Sequence, residues 1–165
     1  MLLKMKVFGL TIDPFTNVPI VILKDDGEQH TLPVWIGVLE ASAIASELEK
    51  VQFSRPMTHD LLKEILKTVS ATVKKIEVMD LRDNVYYATI HMEVKDEGMI
   101  KLDARPSDAI AIALRANAPI FVDSAVIEKS KSVDLADTGK KGKGSKDFLE
   151  TLEDLSPGDF GKYKM

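Results

Sequence analysis

Met99-Ile100-Lys101-Leu102-Asp103-Ala104-Arg105-Pro106-Ser107-Asp108-Ala109-Ile110-Ala111-Ile112-Ala113-Leu114-Arg115-Ala116, followed by Pro119-Ile120-Phe121-Val122, decides the fold. Met99 to Leu102 has strand composition. Arg105-Pro106-Ser107-Asp108 then opens a helix, because proline loses nothing in a first helical turn, where its N–H would have no partner. Ala109, Ile110, Ala113 and Leu114 repeat at helical spacing, which gives one apolar face as far as Ala116. Pro119 to Val122 returns to strand, and Ser124 to Glu128 reads as a helical turn.

Upstream, Val73 to Leu81 and Val85 to Val94 are strands joined by the turn Arg82-Asp83-Asn84. Two helices precede them. Gly37 to Lys50 is alanine-rich, and its small residues Ala41, Ser42, Ala43, Ala45 and Ser46 invite close packing. His59 to Ser70 follows Thr58, a suitable N-cap, with Asp60 in its first turn. Leu61, Leu62, Ile65, Leu66 and Val69 are expected to form its buried stripe. At the N-terminus, Leu3, Met5 and Val7 alternate with lysines, as a one-sided strand does. Val18 to Ile36 reads as a hairpin around Asp25-Asp26-Gly27-Glu28. Strands, two helices, strands, a helix and a strand make an α+β fold with a mixed or antiparallel sheet and about three helices, not a doubly wound one.

The pattern changes after Glu128. Residues 1–128 read as one domain, 129–146 as a flexible lysine- and glycine-rich linker, and 147–165 as a short helical extension through Phe148, Leu149, Leu152 and Leu155.

The chain has 165 residues, no cysteine and a net charge of −4. The missing cysteines exclude a disulfide framework, a thiolate zinc site and a cysteine nucleophile. The sequence pI near 5.4 argues against whole-molecule attraction to nucleic acid or anionic membrane. No stretch approaches the ~18–20 apolar residues that span a bilayer, and the first ten residues lack the apolar run of a signal peptide. These features indicate a soluble cytoplasmic protein with no membrane partner.

Polar chemistry concentrates in two segments and one outlier. Arg55-Pro56-Met57-Thr58-His59-Asp60 places a cation, an imidazole and a carboxylate at a helix start, where free N–H groups favour an anion such as phosphate. The same residues also serve a purely structural end, with Thr58 capping and Asp60 balancing the helix dipole. Asp103 and Asp108 flank Arg105 and Ser107. Such carboxylates bind Mg²⁺ or Mn²⁺ through oxygen, and an arginine grips phosphate as a fork. A self-contained Arg–Asp pair is the structural alternative. Glu40, in an otherwise small and apolar helix start, is either a dipole partner or a third acidic ligand. Trp35 reads as core, and His30 and His91 lack spaced partners. No organic-cofactor motif is present. Residue chemistry alone indicates an anion or metal site near two helix N-termini.

The blocks Leu32-Pro33-Val34-Trp35-Ile36-Gly37 with Glu40-Ala41, Arg55-Pro56 with Thr58-His59-Asp60-Leu61-Leu62, Asp103 to Ala111, and Pro119-Ile120-Phe121-Val122 occur in the same order as in the bifunctional nuclease domain family. The chain resembles that family over about residues 1–128. The resemblance implies an α+β domain, a homodimer, and cleavage of both RNA and DNA with little base preference. It carries over Glu40, Arg55, Thr58, His59, Asp60, Asp103, Arg105, Ser107 and Asp108 as site candidates.

The expectation is therefore phosphodiester hydrolysis assisted by Mg²⁺ or Mn²⁺. Glu40, Asp103 and Asp108 would hold the cation. His59 or Asp60 would move a proton, with the acids Asp103 and Asp108 completing the catalytic set. Arg55, Thr58, Arg105 and Ser107 would bind the substrate phosphate. The alternatives are a non-catalytic oligomeric binding or regulatory module built on an Arg–Asp network, and a pocket for phosphate or a nucleotide.

Overall fold

The alternation at Leu3, Met5 and Val7 produces β1 (Leu2–Ile12), and the apolar run after it produces β2 (Pro19–Asp25) and β3 (Thr31–Trp35). The computed structural model describes residues 1–137. Two helices follow, α1 (Val38–Leu48) and α2 (Thr58–Thr68). Then come β4 (Ala71–Arg82), β5 (Val85–Val94) and β6 (Gly98–Ala104). The chain continues through α3 (Pro106–Ala116), β7 (Ile120–Asp123) and α4 (Ser124–Asp137).

The seven strands of the described residues form one sheet in the order β3-β2-β1-β7-β4-β5-β6. It consists of two antiparallel meanders, β1–β3 and β4–β6, joined by β7. That short strand runs antiparallel to β1, with Met5 opposite Ile120, and parallel to β4, with Ile76 opposite Ile120. The parallel pair gives the mixed character, and α3 is the crossover that carries the chain from the edge strand β6 back to the centre. The sheet also curls: Tyr86 of β5 donates a hydrogen bond from its hydroxyl to the Pro33 carbonyl of β3, at 3.4 Å. At the β4–β5 turn, Asp83 and Asn84 both have positive φ, the conformation that matches the twist of a hairpin. In the β2–β3 turn the positive φ falls on Glu28.

Register fixes what each face carries. Ile120, Ile76, Ile90 and Leu102 lie side by side on one face. Ala109, Ile110, Ala111 and Ala113 of α3 are fully excluded from solvent in the same core. Each isoleucine buried this way contributes about 1.5–3 kcal/mol. Ala41, Ile44 and Ala45 of α1 join them, so the small residues do allow the close helix approach read from the sequence. The next row, Lys4, Phe121, Glu77, Thr89 and Asp103, lies on the opposite face. There Glu77 is buried and accepts from Lys75 and from His91 Nε2, the latter at 2.7 Å.

Three expectations need correction. The stripe of α2 is not buried: Leu61, Leu62, Ile65 and Val69 are exposed, and only Leu66 packs partly on the core. Helical spacing shows that one face is apolar but not that anything in the same chain covers it. Thr58 is the first helical residue and not the cap. Met57 holds that position, and the Asp60 carboxylate accepts its N–H at 3.0 Å. Finally, α4 continues through Asp137, where the sequence suggested a linker from 129. The remainder of that linker and the extension at 147–165 lie outside the described residues. Among the described residues no helix is long and apolar enough to cross a membrane.

Candidate active site

Three helix starts carry the site. Glu40 lies in the first turn of α1, His59 and Asp60 in that of α2, and Asp108 in that of α3. Each start carries unpaired N–H groups and the positive end of a helix dipole, which explains an acidic residue in every one of the three. At α3 the sequence enforces the geometry locally. Arg105 is the extended N-cap residue and Pro106 takes the first helical position, so Arg105 and Asp108 lie one turn apart on the same face.

The side chains form one continuous chain of contacts. Glu40 Oε1 is 2.9 Å from Arg105 Nη1. Arg105 then forks onto Asp108 Oδ2, with Nε and Nη2 each at 2.8 Å. The other oxygen, Asp108 Oδ1, is 2.9 Å from His59 Nε2. The two segments singled out in the sequence therefore meet.

Burial pushes the Asp108 carboxyl up, but hydrogen bonds from Arg105 and His59 outweigh it and hold the group below the usual carboxylate range. The same bond to Asp108 raises Arg105 above its ordinary value. An ionised carboxylate can only accept, so His59 Nε2 carries the hydrogen. In the neutral imidazole, Nδ1 is then the lone-pair nitrogen. His59 is 8% exposed, so its ring is held by the protein and not by solvent. Arg105, by contrast, has a 66% exposed side chain and reaches solvent from the mouth of the network.

Asp60 stands beside His59 but faces elsewhere. Its Oδ1 accepts from Arg115 Nε at 2.7 Å, and its Oδ2 accepts the Met57 N–H. Burial raises its pKa, yet Arg115 and the Met57 N–H together hold it below the ordinary range. Arg115 was missed in the sequence, although it lies seven residues after Asp108 and so on the same face of α3. Ser107 is buried beneath the start of α3. Arg55 and Thr58 are exposed at the approach to α2. Asp103 is not brought in. It belongs to the sheet face that carries Thr89 and Glu77, whereas Arg105 and Asp108 belong to the start of α3. Trp35 is half-buried and donates its indole N–H to Asp13 Oδ2 at 2.9 Å, so it is tied into the fold. His30 is paired with Asp25.

In this arrangement the acids of the site are already paired with protein groups. Among the described residues, no three His, Asp or Glu side chains group as a metal site. Both Asp108 oxygens are engaged, and the Arg105 guanidinium stands between Glu40 and Asp108.

Comparison with known proteins adds the family. The profile of the bifunctional nuclease domain matches residues 21–134, a span that includes Glu40, His59, Arg105 and Asp108. "Uncharacterized protein Rv1829" of Mycobacterium tuberculosis (strain ATCC 25618 / H37Rv) is 34% identical over 163 residues, covering 95% of this chain and 97% of its own. "Bifunctional nuclease 2" of Arabidopsis thaliana is 28% identical over 126 residues, covering 75% of this chain and 38% of its own. "Bifunctional nuclease 1" of Oryza sativa subsp. japonica is 27% identical over 106 residues, covering 63% of this chain and 32% of its own. With that profile spanning the greater part of the described fold, the chain belongs to the bifunctional nuclease domain family.

Proposed function

We propose that this protein hydrolyses phosphodiester bonds in RNA and DNA with little base preference, and that the reaction takes place at the His59–Asp108 pair. The observation that carries this reading is the Asp108–His59 hydrogen bond beside Arg105, at three converging helix starts. DNA has no 2′-hydroxyl, so a mechanism shared by both polymers cannot use that group, and in this reading water is the nucleophile. In this reading His59 Nδ1 takes a proton from that water as its oxygen bonds to phosphorus. The ester P–O bond breaks, and the departing oxygen recovers a proton from the imidazolium. Asp108 fixes the ring tautomer and stabilises the charged imidazole, as the carboxylate of a triad does. Arg105 lets go of Glu40 and forks onto the non-bridging oxygens. Arg55 and Thr58 line the approach. Every one of these groups addresses phosphate and not a base edge, which supports low base preference.

Asp60 acts in this reading as an anchor and not as a proton carrier, and Asp103 has no part in the site. No step is routed through Mg²⁺ or Mn²⁺: Asp108 and Glu40 are engaged by His59 and Arg105, and the Mg²⁺, Mn²⁺ and EDTA arms of the assay below decide the metal. A homodimer belongs to the proposal, with the exposed stripe of α2 as the surface that a second copy would cover. The cysteine-free chain suits the cytoplasm.

One observation favours the second reading, a non-catalytic oligomeric module: each acid of the network already has a partner within the protein. Cleavage of a fluorescent single-stranded RNA and of plasmid DNA separates the two. The assay is run with Mg²⁺, with Mn²⁺ and with EDTA, using wild type, His59→Ala, Asp108→Asn and Asp103→Asn. Cleavage lost in the first two variants and kept in the third supports the site. Wild type inactive under all conditions leaves the binding module.

A further inference from the structure

We propose that Arg115 is a positioning residue that sets His59 against Asp108, a role that rests on the catalytic reading above only for its effect on turnover. Arg115 is 4% exposed and lies in the last turn of α3. Its guanidinium is spread over three elements. Nε donates to Asp60 Oδ1 of α2 at 2.7 Å, Nη2 to the Ala43 carbonyl of α1 at 2.9 Å, and Nη1 to the Ala111 carbonyl of its own helix at 3.0 Å.

The need for such a clamp follows from how little else holds α2. His59 is its buried residue, and its apolar side chains stay largely exposed. Side-chain hydrogen bonds attach α2 to α3 at two points: His59 to Asp108 and Asp60 to Arg115. The two attachments leave consecutive residues of α2 and arrive on α3 about two turns apart. Two separated points fix the rotation of one helix on another, whereas one point leaves a pivot. Without Arg115, α2 can turn about the His59–Asp108 contact, and the imidazole no longer meets the carboxylate along one line. Asp60 passes the constraint on through Met57, whose N–H it accepts, so the turn that carries His59 is fixed at its cap. A lysine at 115 cannot reproduce this, because one ammonium lacks a planar fork with several separated donors.

The test uses full-length Arg115→Met, Arg115→Lys and Asp60→Asn beside wild type. Melting temperature, kcat and KM on fluorescent RNA are measured, together with the ¹⁵N resonances of the His59 ring. Asp108 holds the hydrogen on Nε2, so wild type is expected to show an enriched Nε2–H tautomer. Folded Arg115→Met is expected to show a mixed tautomer and a kcat lower by on the order of 10²-fold, the usual scale for an ångström of misplacement, with KM nearly unchanged. Arg115→Lys is expected to fold but not to recover the wild-type tautomer. Folded variants with wild-type ring resonances and kcat would overturn the proposal. So would the failure of all three to fold, which would make Arg115 a fold residue and nothing more. Wild type without cleavage, combined with a tautomer that still depends on Arg115, would retain the clamp and remove the nuclease reading.

Discussion

His59 and Asp108 are separated by 49 residues of chain, yet His59 Nε2 lies 2.9 Å from Asp108 Oδ1. Replacing Asp108 with Asn leaves a hydrogen bond possible but removes the acceptor-only carboxylate that dictates the tautomer. In the proteases built on an Asp–His–Ser triad, the same change costs about 10⁴-fold in kcat. Asp108→Asn is therefore expected to lose at least about 10²-fold in kcat on RNA, with a KM close to wild type. Steady-state kinetics at pH 7 decide this, and a wild-type kcat would show that His59 works without its partner.

Acid stability should report the two anchors. Asp60 and Asp108 both titrate below the ordinary carboxylate range in the folded chain. A depressed folded pKa means that the unfolded chain binds the proton more readily. The contribution is therefore fully present above the unfolded value of about 3.9 and is lost as pH falls through the folded values. Glu77, lowered by Lys75 and His91 against its burial, adds to the same limb from the other sheet face. Melting temperature between about pH 5 and pH 2 should fall less steeply in Asp60→Asn than in wild type. Parallel curves would show that the Asp60–Arg115 pair does not contribute to this limb.

In the proposed reaction, Glu40 competes with the substrate phosphate for Arg105. Gly37 has a φ of −72, which any residue adopts, but a Cβ there would collide with the Glu40 carboxylate. Gly37→Ala should therefore displace Glu40 without straining the backbone, and Glu40→Gln should weaken the same contact chemically. Both are expected to lower KM for RNA, by less than about fivefold, since an exposed ion pair is worth at most about 1 kcal/mol. A rise in KM in both would instead make Glu40 a substrate-orienting group.

The stripe on α2 predicts the assembly. Leu61, Ile65 and Val69 are 49%, 48% and 57% exposed. Ile65→Lys should change the stability of an isolated protomer by no more than about 0.5 kcal/mol. It is expected to halve the mass measured by light scattering if a second copy covers this face. An unchanged mass would place the contact elsewhere or show a monomer.

What the sequence made legible depended on local constraints. The start of α3 could be read because Pro106 tolerates few other positions, and the β4–β5 turn because Asp83 and Asn84 adopt positive φ readily. Asp103 misled because adjacency in sequence was taken for adjacency in space. It is two residues from Arg105, yet it lies within β6 on the face opposite Leu102, and the strand ends at Ala104 before Arg105 caps α3. Arg115 could not be read as a clamp, since its partners Asp60 and Ala43 come from other helices. The exposure of Leu61 and Ile65 was equally hidden, because helical spacing is the same whether the cover comes from within the chain or from outside it.

β7 makes the order of synthesis matter. The meander β1–β3 emerges from the ribosome first, but the inner edge of β1 is closed only when Ile120–Asp123 arrives to pair with Leu2–Met5. Until then an unpaired strand is open to any other nascent chain. Lys4 and Lys6, both exposed, put charge along that waiting edge, the feature that discourages strand-to-strand aggregation. Pairing the first strand with the last also makes the closing contacts among the most distant in the chain, so completion of the sheet is the slow event to expect in folding.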